Sequence, residues 1–125
     1  MRTSKEKEAF INFMKKLTKS FAIEVIDFCN NLDLNSSSKI ISYQLIKSAT
    51  STGANYRAAC RSRSKKEFYA KICIVVEEAD ESQYWLEIIK DSSINCNKIQ
   101  LNRLIEKIGK ILAIVTRARS NTFNQ

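Results

Sequence analysis

The sequence predicts an all-α protein, an antiparallel up-down-up-down four-helix bundle, on three observations. Apolar residues recur at three-and-four spacing along four long segments, the pattern that keeps one face of a helix dry. Two glycines and no proline leave little of the turn chemistry a sheet requires. The polar stretches between segments are short, and short connections make consecutive helices antiparallel neighbours. All 125 residues fit one domain, 1–125, and a chain of that size buries about two thirds of its unfolded surface, enough to fold without metal or disulfide staples.

The first helix is predicted over about 4–31, with Phe10, Phe13, Met14, Leu17, Phe21, Val25, Phe28 and Leu32 as its stripe and a break near Thr18. Asn30-Asn31-Leu32-Asp33-Leu34-Asn35 supplies turn formers, after which Ser36 or Ser37 caps a second helix over about 37–63. Its stripe is Ile41, Leu45, Ala49, Thr52, Tyr56 and Ala59. From Ser48 to Asn55 nothing is bulkier than Thr or Asn, so this helix is expected to approach a neighbour closely. Ser64-Lys65-Lys66-Glu67 spells a capping box and opens a third helix over 65–90, with Phe68, Ile72, Val75, Val76, Ala79, Leu86 and Ile89 inward. The segment from Asp91 to Asn95 ends it, because these side chains bond their own backbone in preference to continuing a helix. Asn97 with Gln100 opens a fourth helix over about 97–118 that buries Leu101, Leu104, Ile105, Ile108, Ile111, Leu112 and Val115. It is expected to fray near Arg119, leaving 120–125 as a mobile tail.

The third helix is apolar over more of its circumference than one bundle core requires. Tyr69, Cys73, Ile74, Tyr84, Trp85 and Ile88 lie off the main stripe and form a candidate oligomer interface, so self-association is expected. The plainer alternative is a thick core with a few exposed aromatics.

Charge is distributed unevenly. The formal charge is +8, yet residues 57–66 hold five basic and no acidic side chains, while the third helix is acidic. Arg57, Arg61, Arg63, Lys65 and Lys66 make a basic corner between helices two and three. Arg103, Lys107, Lys110 and Arg117 fall within about a quarter of the fourth helix's circumference, read as a ribbon opposite its apolar stripe. Arg binds phosphate through paired N–H donors, and a cluster of cations gains from counterion release, so structured RNA or DNA is the natural polyanion. The basic segments carry no aromatic platform apart from Tyr56, so binding would follow backbone charge and shape more than base sequence. Against this stands the ordinary solvated helix face, with the corner charge partly neutralising Glu77, Glu78, Asp80 and Glu81 of another helix or subunit.

Other chemistry is poorly served. Cys29, Cys60, Cys73 and Cys96 are widely separated and the chain has no His, which argues against zinc; no metal or other cofactor is expected. The run Glu77-Glu78-Ala79-Asp80-Glu81 lacks the His that a ferritin-like di-metal centre requires, and Asp80, beside the core stripe, is expected to pair with Arg57 or Arg61 across a helix interface. Ser62-Arg63-Ser64-Lys65 fits the spelling S-x-x-K without its companion motifs. No glycine-rich phosphate loop and no base titrating near neutrality is present, so no catalytic residue is assigned and the protein is expected not to be an enzyme. Unpaired cysteines, the absence of a signal peptide and of any long apolar run point to the cytoplasm, with no membrane partner.

Three blocks carry a resemblance: Gln44-Leu45-Ile46-Lys47-Ser48-Ala49-Thr50-Ser51-Thr52-Gly53-Ala54-Asn55-Tyr56, then Ser64-Lys65-Lys66-Glu67-Phe68, then Glu78-Ala79-Asp80-Glu81-Ser82-Gln83-Tyr84-Trp85-Leu86. In this order they resemble the signature of the bacterial four-helix bundle proteins encoded in 23S rRNA intervening sequences, relatives of the accessory variability determinant of diversity-generating retroelements. The likeness covers roughly residues 10–115 and departs at Ala58, where many relatives carry Glu. It implies a ring-like homopentamer and, from the retroelement relatives, association with nucleic acid and a reverse transcriptase. Two functions follow: a non-enzymatic accessory protein that oligomerises and holds nucleic acid, or a protein-interaction scaffold whose charge attracts an acidic protein. A passenger of a mobile rRNA insert would leave no trace in the residues.

Overall fold

The computed structural model describes residues 3–123 and contains four helices: α1 (Ser4–Asn30), α2 (Ser36–Cys60), α3 (Lys65–Asp91) and α4 (Lys98–Phe123). The helices neighbour one another in cyclic order, α1 on α2, α2 on α3, α3 on α4 and α4 on α1, and among the described residues no diagonal pair brings its backbones as close. This is the antiparallel up-down-up-down bundle, with the α2–α3 link at one end and the other two links at the opposite end.

Local chemistry explains each boundary. Thr3 caps α1, its hydroxyl accepting from the Glu6 N–H at 3.2 Å. The expected break at Thr18 does not occur: its side chain is buried and donates to the Met14 carbonyl at 2.9 Å, inside an unbroken helix. At α2 the cap is Asn35, one residue before the expected serines. Asn35 accepts from the Ser38 N–H while the Ser38 hydroxyl accepts from the Asn35 N–H, both at 2.9 Å, a complete capping box. Ser64 makes only half of one, accepting from the Glu67 N–H at 3.0 Å. α2 stops at Cys60, short of Arg63, where the Arg61 and Ser62 N–H groups fold back onto the Ala58 and Ala59 carbonyls. Asn97 accepts from the Gln100 N–H at 3.0 Å at the start of α4. That helix passes the expected end near Arg119 and continues to Phe123; of the tail assigned to 120–125, residues 124 and 125 lie outside the described residues.

The predicted stripes form the core, with Met14, Phe21, Phe28, Leu45, Ile72, Leu86, Leu104 and Ile108 essentially sealed from water. Phe13 is the exception at 46% exposed. The α2 seams are the tightest feature. A Cβ added to Gly53 would lie 3.3 Å from Thr18 Oγ1 on α1, and on the other side the Ser82 hydroxyl of α3 donates to Ser48 Oγ at 2.8 Å. Buried Ser82 was absent from the sequence-derived core, which followed apolar residues alone. Beside this seam sits Glu78. Burial pushes its carboxyl above the ordinary glutamate value, Glu81 and Glu77 add to that, and Lys47 of α2 opposes it.

Two outcomes follow from this packing. Gly53→Ala sets a helix-propensity gain of about 1 kcal/mol against crowding of the anchored Thr18, so stability should move by less than that amount. Gly53→Leu has no such room and should cost about 2–3 kcal/mol; urea melts measure both variants. For Glu78, the folded state holds the proton more tightly than the unfolded state, so the ionised carboxylate lowers stability once pH exceeds the folded pKa. Glu78→Gln should therefore raise Tm near neutral pH, and the gain should close below about pH 4, where the wild-type carboxyl is protonated in both states. Thermal melts across that range check the sign.

Candidate nucleic-acid and assembly surfaces

The α2–α3 link builds the densest positive surface. Arg57 sits in the last turn of α2, Arg61 caps it, Arg63 lies in the link, and Lys65 and Lys66 begin α3. All five are exposed, and among the described residues none of them forms an ion pair. Arg57 is well placed at the negative end of the α2 dipole. Lys65 and Lys66 are not, because they add positive charge to the positive end of α3, where Glu67 is the only acidic residue of the first turn. Like charges facing the wrong end of a dipole raise the free energy of the protomer, and a bound polyanion would relieve it. Arg117, near the end of α4, is exposed at the same end of the bundle.

The expected α4 ribbon is only half free. Arg103 and Arg117 are exposed, but Lys107 is half-buried in an ion pair with Glu24 of α1. Lys110 places its ammonium 5.5 Å from the centre of the Phe13 ring, also on α1. The ribbon therefore does not lie opposite the core throughout: its middle bridges the α1–α4 seam. Glu24 went unrecognised and Phe13 was assigned to the core stripe, because only the rotation of α1 against α4 brings them to these lysines.

The candidate assembly face is likewise uneven. Ile74 and Tyr84 are 40% and 53% exposed, whereas Tyr69, Cys73, Trp85 and Ile88 are half-buried within the protomer. Trp85 packs against the core, its indole N–H donates to the Glu81 carboxylate at 3.2 Å, and the Tyr84 ring meets it edge-on at 5.2 Å. A hydrogen bond with Cys73 pushes the Tyr69 phenol up, opposed by the charge of Arg119 on α4. Helix α2 adds two exposed apolar side chains that sequence reasoning missed, Ile40 and Tyr43. Tyr43 falls between polar neighbours and Ile40 beside Ile41, both off the α2 stripe, so periodicity gave no reason to single them out.

The acidic run points outward. Glu77, Asp80 and Glu81 are exposed, and Asp80 is neither beside the core nor ion-paired with Arg57 or Arg61 within the chain. Among the described residues no three Cys, Asp or Glu side chains gather into a metal-holding group. All four cysteines are free, and burial pushes the Cys29 and Cys60 thiols up, against the opposing effects of hydrogen bonds with Ser42 and Tyr56 respectively. Of the S-x-x-K spelling, Lys65 is exposed, while the Ser62 hydroxyl is buried without a hydrogen-bond partner. Among the described residues no helix is long and apolar enough to cross a membrane.

With this geometry in hand, comparisons with known proteins are informative. Residues 6–117 match the family model described as 23S rRNA-intervening sequence protein. No curated protein matches the sequence at a significant level. Among solved structures the chain is similar to a Bacteroides thetaiotaomicron protein of unknown function from the S23 ribosomal protein family. The two share 26% identity at a TM-score of 0.76, over 88% of this chain and 97% of that one. The family match spans most of all four helices, and the likeness in structure is of the same extent; the chain belongs to the 23S rRNA-intervening sequence protein family.

Proposed function

We propose that the protein is a non-enzymatic, cytoplasmic accessory protein that assembles with copies of itself and binds nucleic acid, RNA in the first instance, through the basic end of the bundle. One observation carries the reading: five exposed cations gather at the α2–α3 link with no ion-pair partner among the described residues, two of them at the unfavourable end of the α3 dipole. Membership of a family defined by 23S rRNA intervening sequences supports RNA as the polyanion. Arg103 and Arg117 extend the surface along α4, while Lys107 and Lys110 contribute less because α1 already engages them.

For assembly, the outer face of α3 around Ile74 and Tyr84 offers the apolar contact, with Ile40 and Tyr43 of α2 as further candidates. Closure into a ring would repeat the basic end around an axis, and the homopentamer implied by the family resemblance is the form we adopt. A reverse transcriptase or other acidic protein is the alternative partner for the same charge.

Binding to a structured RNA, followed by fluorescence anisotropy, should weaken steeply with salt. The triple variant Arg61→Glu, Arg63→Glu, Lys65→Glu should reduce the slope of log K against log salt by roughly two to three units. If protein purified without nuclease carries no excess absorbance at 260 nm and retains an acidic protein instead, the scaffold reading replaces this one. Light scattering should give the mass of a pentamer for the wild type, and Tyr84→Glu combined with Ile74→Glu should drive it to monomer. A monomeric wild type removes the assembly.

A further inference from the structure

The basic end of the bundle is hollow. A cavity of about 300 Å³ opens there, walled by side chains from every helix: Phe10 and Ile11 of α1, Tyr56 of α2, Phe68 of α3, and Ile114 and Val115 of α4. Ala59, Cys60 and Ala118 also line it, and their small side chains leave space that larger ones would fill. The volume lies at the lower end of the range for small-molecule sites, which are apolar with a few placed polar groups. Two such groups are present in the wall. Lys7 lines the mouth with an exposed side chain whose ammonium can reach a ligand there, and Ser62 brings the only buried side-chain polar atom among the described residues that lacks a hydrogen-bond partner. A hydroxyl left in that state lowers stability, and an acceptor arriving in the cavity would relieve it.

We propose that this cavity binds an amphipathic monoanion, an aliphatic carboxylate of short to medium chain length. The chain occupies the apolar interior, and the carboxylate sits at the wall, where it accepts from Lys7 and, after a turn of its side chain about χ1, from the Ser62 hydroxyl. The surrounding potential favours an anion: Lys5, Arg61, Arg63, Lys65, Arg117 and Arg119 share this end of the bundle, and Glu6, Glu8 and Glu67 only partly offset them. A nucleobase fits poorly, since an apolar wall would leave its ring donors and acceptors unpaired. The pocket shares the field of the phosphate surface but none of its residues, so the two sites are separable by mutation.

Titration calorimetry of decanoate into the full chain tests it, with decanol as the uncharged control. One saturable site is expected in the wild type. Lys7→Gln should weaken decanoate about tenfold, equivalent to about 1.4 kcal/mol, and change decanol less than about twofold. Ala118→Leu should abolish both by filling the cavity; circular dichroism establishes that the variant is folded, and should it not fold, methyl NMR of the wild type reports the site. Decanoate must then shift Ile11, Ile114 and Val115 ahead of any methyl on the outer face of α3. No saturable uptake at millimolar decanoate, an unchanged affinity in Lys7→Gln, or shifts centred on Ile74 would each overturn the proposal.

Discussion

The bundle depends on how closely α2 can lie against its two neighbours. Ser48, Ala49, Thr52 and Gly53 are buried in succession along one side of it, so the backbone meets α1 at Thr18 and α3 at Ser82 with almost no side chain between. Hydroxyls make such a seam possible without stranding polar groups. Thr18, Ser48 and Thr52 each donate to a carbonyl one turn back in their own helix, at 2.9, 3.2 and 2.8 Å, and Ser82 shares its proton between Glu78 and Ser48. Each group is satisfied where it stands, and close approach costs little beyond ordering. The α1–α4 contact is the least extensive of the four and is spanned by long side chains, Lys107 to Glu24 and Lys110 over Phe13, while the cavity opens at the end where α1 begins and α4 finishes.

Charge follows the same asymmetry. The corner that joins α2 to α3 lies where the α2–α3 seam ends, and its cationic side chains are exposed. The outer surface of α3 carries the acids Glu77, Asp80 and Glu81 around Ile74 and Tyr84. In the proposed assembly, an apolar face rimmed by acid and a basic corner elsewhere would be complementary, so that the field of one protomer would orient the next.

Much of this was legible in the sequence. Helix number, order and inward faces came from periodicity, and Ser48 to Asn55 announced a close approach through its lack of bulk. The boundaries failed where a side chain changed the local accounting of backbone bonds. Asn35 outcompeted Ser36 and Ser37 because Ser38 could return its bond, and Thr18 continued α1 where a Thr was expected to interrupt it. The surface residues were harder, because exposure depends on rotation of one helix against another. Lys107 and Trp85 illustrate this: spacing placed both outward, but Glu24 and the core flank draw them in, a result no single helix contains. Serines in the core were invisible for a related reason, since a buried hydroxyl is favourable only when its partner across the seam is known.

The two external surfaces rely on different forces, and this bears on how they act together. Apolar burial at α3 is nearly indifferent to salt, whereas attraction at the basic corner decays over about 8 Å at physiological ionic strength. A lone corner of five cations competes weakly with that screening. Repetition of the corner around an assembly changes the balance, because each copy adds its counterion release to the same bound polyanion and later contacts form at the effective concentration set by the first. In the proposed assembly one helix would supply what charge alone on a single bundle lacks, and contact there would cover an apolar outer face that is a liability in a solitary protein.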